Sequence, residues 1–209
     1  GTDCINITGV RELSGCMYEI IPDYIEAGTF IACVAITKGD VILKKVPVSD
    51  LETVIAKFSE AGVTIIKESK NSLRVKMSKN IKPVDVYTLP HPGFPTDMQA
   101  QWMTFMSVAN GTSVLTESIW ENRFMHVAEL RRMGADITLD GNTAIIKGVQ
   151  SLSGAQVMVS DLRAGAALIM AGLVAKGETE ISRIYHLDRG YEKIEEKLVR
   201  LGADIKRVK

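Results

Sequence analysis

Two kinds of apolar helical pattern alternate along the chain with short strand-like runs. In 27–36 and 164–175 nearly every position is apolar and many are Ala or Gly, so these stretches read as helices buried on all sides and able to approach one another closely. In 51–61, 126–133 and 191–201 apolar residues recur at i, i+3 and i+4 with charged residues opposite, which is the amphipathic pattern. Runs prominent in β-branched residues at 41–46, 113–117 and 179–184 read as strands, and 136–139 with 143–147 as a pair around the turn Asp140-Gly141-Asn142.

These elements repeat. The string ITGVRELSG at 7–15 returns as IKGVQSLSG at 146–154, 139 positions later. Within that span a shorter unit recurs: KFSEAGVTI at 57–65, LRRMGADI at 130–137 and LVRLGADI at 198–205, with Gly62, Gly134 and Gly202 in register. The period is therefore about 70 residues, and a period of that length signals stacked supersecondary units. Each unit is an apolar helix opened by Asp (Asp23, Asp97, Asp161) and closed by Gly (Gly39, Gly111, Gly177), followed by a strand, an amphipathic helix and two strands. The third unit stops at 205–208 without its last strand, which something outside this sequence should supply. Three such units imply a pseudo-threefold α/β domain with the apolar helices packed around one axis. Their Asp-bearing N-termini then point the same way and form an anion-binding surface.

Bulk properties narrow the partners. With 25 Lys plus Arg against 25 Asp plus Glu, no net field draws the chain to nucleic acid or to an anionic membrane. The most apolar run, 164–174, is too short and too rich in Ala and Gly to span a bilayer. Cys4, Cys16 and Cys33 lie in apolar or strand-like sequence without C-x-x-C spacing, and read as buried thiols of a reducing cytoplasm. His91, His126 and His186 are too scattered for a metal site, and no phosphate-loop or dinucleotide fingerprint is present.

The chemistry centres on HPGFPTDMQAQ at 91–101. Two prolines and a glycine keep the approach out of helix, and Thr96 and Gln99 stand at capping-box spacing, so a helix should start near Thr96. Asp97 then lies in the first turn, where the helix dipole favours the ionised carboxylate. Arg123, Arg163 and Arg189 fall at equivalent ends of the repeat units, and guanidinium groups bind carboxylate or phosphate bidentately without losing charge.

Together with ENRFMH at 121–126 and HLDRGY at 186–191, the 91–101 string closely resembles the UDP-N-acetylglucosamine enolpyruvyl transferases of bacterial cell-wall synthesis. The resemblance covers essentially the whole chain and corresponds to the C-terminal half of such an enzyme. The sister enolpyruvylshikimate-phosphate synthases share the fold but not the PTDMQAQ and ENRFMH wording. What the resemblance implies is an inside-out α/β barrel in which residues 1–21 complete the N-terminal domain. Residues 22–209 then form the C-terminal domain, as units of roughly 22–88, 89–154 and 155–209, with the active site in the cleft between domains and the missing strand coming from the protein's extreme N-terminus. The implied reaction moves the enolpyruvyl group of phosphoenolpyruvate to the 3-hydroxyl of UDP-N-acetylglucosamine and releases phosphate, the first committed step of peptidoglycan synthesis, with no cofactor.

Residue by residue, the resemblance makes Asp97 the acid that hydrogen-bonds the sugar hydroxyl and serves as general base. Arg189 contacts phosphoenolpyruvate, Arg163 and Arg123 are further cleft arginines, and the Ile119 backbone contacts the nucleotide. Asp161 either orients Arg163 or the reacting groups, or simply caps its helix. The family's reactive cysteine, with a lysine and an arginine that grip phosphoenolpyruvate, belongs to the other half, and none of the three cysteines here matches its motif. The chain alone is expected not to turn over. A catalytically silent binding module and a shikimate-phosphate enzyme of the same fold are the alternatives.

Overall fold

Asp23 opens the first regular element, its carboxylate accepting a 2.8 Å hydrogen bond from the Ile25 N–H at the head of α1 (Tyr24–Ile36). Asp161 does the same for α5 (Leu162–Val174), accepting from the Arg163 and Ala164 N–H groups, both at 3.0 Å. The middle member, α3 (Gln99–Met106), starts differently. A 3-10 turn over Thr96–Met98 leads into it, and the Thr96 hydroxyl caps nothing. The capping box expected from T-x-x-Q does not form, because Glu117 and Arg123 take that hydroxyl from across the fold. The computed structural model describes residues 4–208; residues 1–3 of the segment assigned above to an N-terminal domain lie outside them, as does Lys209.

The three apolar helices pack against one another, and every residue of α3 is buried. Small residues permit the approach, as expected: a Cβ added at Gly28 in α1 would stand 2.8 Å from the Met98 sulfur. One polar group from each helix meets near this axis. Thr29 of α1 shares a 2.8 Å hydrogen bond with the Tyr191 hydroxyl, Gln101 of α3 donates to Thr29 at 3.0 Å, and Arg163 of α5 donates to Tyr191 at 3.2 Å. These bonds fix the mutual register of the helices, although the buried Gln101 Oε1 has no partner among the described residues.

Around the triad lie α2 (Glu52–Glu60), α4 (His126–Arg132) and α6 (Ile194–Arg200), each with its apolar stripe inward. All three end alike, with Gly62, Gly134 and Gly202 at φ +99°, +90° and +98°. After each glycine the next N–H reaches back into the helix, Val63 to Phe58 O, Ala135 to Leu130 O and Ala203 to Leu198 O. The repeat seen in the sequence is thus a repeated helix stop, held by a backbone region that glycine enters without strain.

The strands form three sheets. β1 (Asp40–Lys44), β3 (Ser72–Lys76) and β2 (Thr64–Ser69) pair antiparallel in the order β1-β3-β2. The second sheet runs β4 (Val86–Tyr87), β5 (Thr112–Thr116), β7 (Thr143–Lys147), β6 (Asp136–Asp140), with β4 parallel to β5. β8 (Gln156–Met158) and β9 (Glu180–Ser182) make the third, a parallel pair. Their burial alternates, Leu73 and Val75 inside and Arg74 and Lys76 outside, so one face of the sheet lies in solvent while the helices fill the interior. This is the pseudo-threefold α/β arrangement expected from the repeat, and it agrees with the inside-out α/β barrel that the resemblance implies.

Two expectations need correction. Cys33 is buried, which pushes its thiol up to about 12, but Cys4 and Cys16 are exposed. They sit in residues 4–23, which form no helix or strand, so the apolar neighbours that suggested burial (Ile5, Ile7, Met17, Ile20) face solvent with them. In the third unit the strand and the amphipathic helix are shorter than their patterns, and Lys193 takes a left-handed φ of +45° just before α6. Residues 203–208 form no strand, so β9 keeps an unpaired edge.

Candidate functional site

All six residues singled out from the sequence, Asp97, Ile119, Arg123, Asp161, Arg163 and Arg189, line one cleft of about 850 Å³. Four places in the chain carry them. Asp97 is set by the 3-10 turn that precedes α3, whose apolar approach is anchored by buried Phe94. Ile119 and Arg123 lie on the loop between β5 and α4, Asp161 and Arg163 at the head of α5, and Arg189 at the end of a 3-10 helix over Ile184–Arg189.

Asp97 is the hub. Its Oδ1 accepts from the Arg123 Nη2 at 2.7 Å and its Oδ2 from the Arg163 Nη2 at 3.0 Å. Burial works to raise the Asp97 carboxyl, but hydrogen bonds from both guanidinium groups and their charges outweigh it and hold the group below the usual 3.8. Arg163 is itself fixed on its other side, with its guanidinium 5.8 Å from the centre of the Tyr191 ring and bonded to the hydroxyl. Burial raises the Tyr191 phenol, against the lowering effect of Arg163 and Thr29, so it stays a neutral partner.

Arg189 is exposed at the rim and makes no ion pair among the described residues, leaving its donors directed at solvent in the cleft. Asp161 spends one carboxylate oxygen on the backbone of α5 and the other on the Ser160 hydroxyl at 3.0 Å. Of its two readings the structure shows capping, which positions Arg163 through the helix start rather than by touching its guanidinium. Trp120 is exposed on the cleft wall, whereas Trp102 is wholly buried in the core.

Four contributors were not assigned to the site from the sequence, Thr96 having been read only as a helix cap. Thr96, Glu117 and Tyr191 bond directly to the arginine–aspartate cluster or to its holders. Tyr24 lies close enough that Asp97 and Arg163 act on its phenol, which burial pushes up. HLDRGY contains Tyr191, and its place at the start of the expected amphipathic helix, three positions before α6, was the available signal. Nothing in the local pattern marks Glu117 or Tyr24.

His126 heads α4 behind the cleft, fully buried with no hydrogen-bond partner for Nε2 among the described residues. Burial lowers it to about 4, with Asp161 opposing and Arg123 assisting. A histidine depressed from 6.5 keeps its full stability contribution above pH 6.5 and loses it as pH falls toward 4, because the unfolded chain takes up the proton first. The shift corresponds to about 3 kcal/mol. We expect urea midpoints to fall between pH 7 and 4, and His126→Phe to flatten that decline; an unchanged slope in the variant would place the acid sensitivity elsewhere.

The geometry, then, is an open cleft with one carboxylate clamped by two arginines and a third arginine at its rim. Comparison with known proteins follows the same line. Residues 1–198 match the family model for EPSP synthase (3-phosphoshikimate 1-carboxyvinyltransferase). The chain is similar to the UDP-N-acetylglucosamine 1-carboxyvinyltransferase 1 of Caldanaerobacter subterraneus subsp. tengcongensis, 59% identical over 99% of this chain and 50% of that protein. It is 57% identical to the UDP-N-acetylglucosamine 1-carboxyvinyltransferase of Geobacter metallireducens, over 100% of this chain and 50% of the relative. Among solved structures it resembles the enolpyruvyl transferase NikO from Streptomyces tendae, with TM-score 0.81 and 27% identity over 90% of this chain and 44% of that one. An EPSP synthase from Acinetobacter baumannii shares the fold, with TM-score 0.68 and 19% identity over 91% of this chain and 44% of that one. The chain spans about half the length of the curated relatives it matches. On the repeat architecture, the cleft and these matches, the chain belongs to the EPSP synthase family of carboxyvinyl (enolpyruvyl) transferases.

Proposed function

We propose that the chain is the C-terminal half of an enzyme that transfers the enolpyruvyl group of phosphoenolpyruvate to the 3-hydroxyl of UDP-N-acetylglucosamine, releasing phosphate for peptidoglycan synthesis. The observation that carries this reading is Asp97 held between Arg123 and Arg163 in the cleft that also contains Ile119 and Arg189. Deprotonating an alcohol while neutralising a carboxylate and a phosphate needs one acceptor and several fixed cations, and this cleft brings those groups together. The names of relatives more than half identical to this chain favour the nucleotide sugar over shikimate phosphate as acceptor.

In the open cleft Asp97 is a poor base, since both oxygens are occupied by guanidinium donors. An arriving phosphate or carboxylate competes for those donors, and each bond it takes returns basicity to Asp97. Anion binding therefore precedes hydroxyl activation. Asp97 then orients the 3-hydroxyl and receives its proton as the oxygen adds to C2 of phosphoenolpyruvate and C3 takes a proton from an acid of the other half; loss of phosphate with a C3 proton restores the double bond. Arg189, with no ion-pair partner among the described residues, is the first contact for the anion.

The N-terminal half of the same protein is the second wall of the cleft. Residues 4–21, with Ile5, Ile7, Leu13, Met17 and Ile20 exposed, belong with that half, and the unpaired edge of β9 accepts a strand from outside the chain. No helix of the described residues is long and apolar enough to cross a membrane, and we place the enzyme in the cytoplasm. Phosphate release from phosphoenolpyruvate and UDP-N-acetylglucosamine tests the proposal, with the chain alone and mixed with the N-terminal half. Release in the mixture only is expected. Folded halves that bind each other yet release nothing point to a silent module, and release driven by shikimate 3-phosphate instead reassigns the acceptor.

A further inference from the structure

Glu117 is 1% exposed, and both of its carboxylate oxygens face only donors. Oε1 accepts from the Thr88 hydroxyl at 2.8 Å and from the Ile119 and Trp120 N–H groups at 2.8 and 3.3 Å. Oε2 accepts from the Thr96 hydroxyl at 2.7 Å. With its only proton committed to Glu117, Thr96 offers its lone pairs, and the Arg123 Nη1 donates to it at 2.8 Å while Nη2 holds Asp97. A continuous path therefore runs from a buried acid to the central carboxylate of the cleft, through Thr96 and Arg123. The peptide around Glu117 is fixed as well: its N–H donates to Asn142 O at 2.8 Å, and its own carbonyl accepts from the Asn142 side chain at 3.0 Å.

A residue serving only to tie the β5–α4 loop would need one acceptor atom, which an amide or hydroxyl could provide. Two oxygens that both accept are the particular property of a carboxylate, and the second is spent wholly on the direction of the Thr96 hydroxyl. We propose that Glu117 is a positioning residue of the cleft: through one oxygen it fixes the Ile119–Trp120 backbone, and through the other, by way of Thr96, it fixes the Arg123 guanidinium against Asp97. This rests on the enolpyruvyl-transfer reading of the cleft.

Glu117→Gln separates the two arms. The amide oxygen can keep the Thr88, Ile119 and Trp120 donors, while the amide nitrogen faces Thr96 with hydrogens, turns its hydroxyl proton away and competes with Arg123 for its lone pairs. In the chain combined with its N-terminal half, we expect kcat to fall about tenfold or more with KM for UDP-N-acetylglucosamine little changed, since a small misplacement at a reacting group is costly. Thr96→Val, which cuts the same path at the next link, should reproduce that split, and the double variant should be no worse than either single one. Glu117→Ala, which frees both arms, should also raise the KM for UDP-N-acetylglucosamine. A second readout needs no turnover: side-chain NMR of this chain alone should show the Arg123 Nη resonances restricted in the parent and averaged in Glu117→Gln. An inactive parent mixture with restricted Arg123 signals would count against the enzymatic reading and leave the positioning intact. Parent activity with unaltered kcat and unaltered Arg123 signals in Glu117→Gln, or independent multiplying losses in the double variant, would overturn the positioning role.

Discussion

Asp97→Asn should lower kcat/KM by roughly 10²–10⁴-fold in the chain combined with its N-terminal half, the range set by losing a positioned acid–base group. The amide is nearly the same size, so the Thr96–Met98 turn should persist. It cannot serve as anion to two guanidinium groups at once, however, and Arg123 and Arg163 are left facing each other across it. The pH profile carries the sharper signature. Because the two arginines hold the Asp97 carboxyl below 3.8 in the open cleft, the acid limb of kcat/KM from this group should lie below that value. In the proposed reaction substrate anions draw the arginines away and the same carboxyl rises, so the acid limb of kcat should sit at higher pH than that of kcat/KM. Coincident limbs would mean that the arginines stay on Asp97 throughout, and a variant of near-parental activity would remove it from the chemistry. For stability the sign is that of any depressed carboxyl: its contribution is present above 3.8 and is lost as pH falls through the folded value.

Trp102→Ala should be among the most destabilising single substitutions in the chain, by about 3–5 kcal/mol. The indole is wholly buried and meets three rings edge-on, Phe58, Phe94 and Phe105, with centroids 5.0, 5.4 and 5.7 Å away. These come from α2, from the approach to Asp97 and from α3 itself, so the cavity would loosen the join between core and site. A fall in melting temperature of roughly 10 °C is expected for a domain of this size. Trp102→Phe should recover most of it, because the indole N–H has no partner among the described residues to lose. A calorimetric shift below a few degrees for the alanine variant would show that the ring cluster relaxes into the space.

The expected and observed structures agree where the information is local. Periodicity in 27–36 and 164–175 announced α1 and α5, the aspartates at 23 and 161 announced their caps, and Gly62, Gly134 and Gly202 marked three equal helix stops. Each of these depends on residues within one or two turns of one another. The cleft residues were also legible, Asp97, Arg123 and Arg189 through three motifs whose wording resembles a known family and Ile119, Asp161 and Arg163 through the wider resemblance, and all six line one cavity.

What the sequence by itself determined, then, is the threefold repeat of helix and strand and the list of charged residues; their expected placement at equivalent unit ends does not hold, since Arg163 heads the core helix α5 whereas Arg123 and Arg189 precede the amphipathic helices α4 and α6. Only the tertiary structure decided how those charges are used. Thr96 looked like a cap, because a hydroxyl three residues before a glutamine can serve its own helix; in the fold, a buried Glu117 and a guanidinium outcompete that weak local bond. Tyr191 looked like a helix-entry residue and instead ties α5 to α1 through Arg163 and Thr29, partners 28 and 162 positions away. Asp97 was expected to meet a substrate hydroxyl from the first turn of its helix, and in the fold its carboxylate is held by arginines 26 and 66 residues further on. Periodicity records which face of an element avoids water, but which polar groups meet depends on how separately formed units dock, and that geometry is written in no single stretch of the chain.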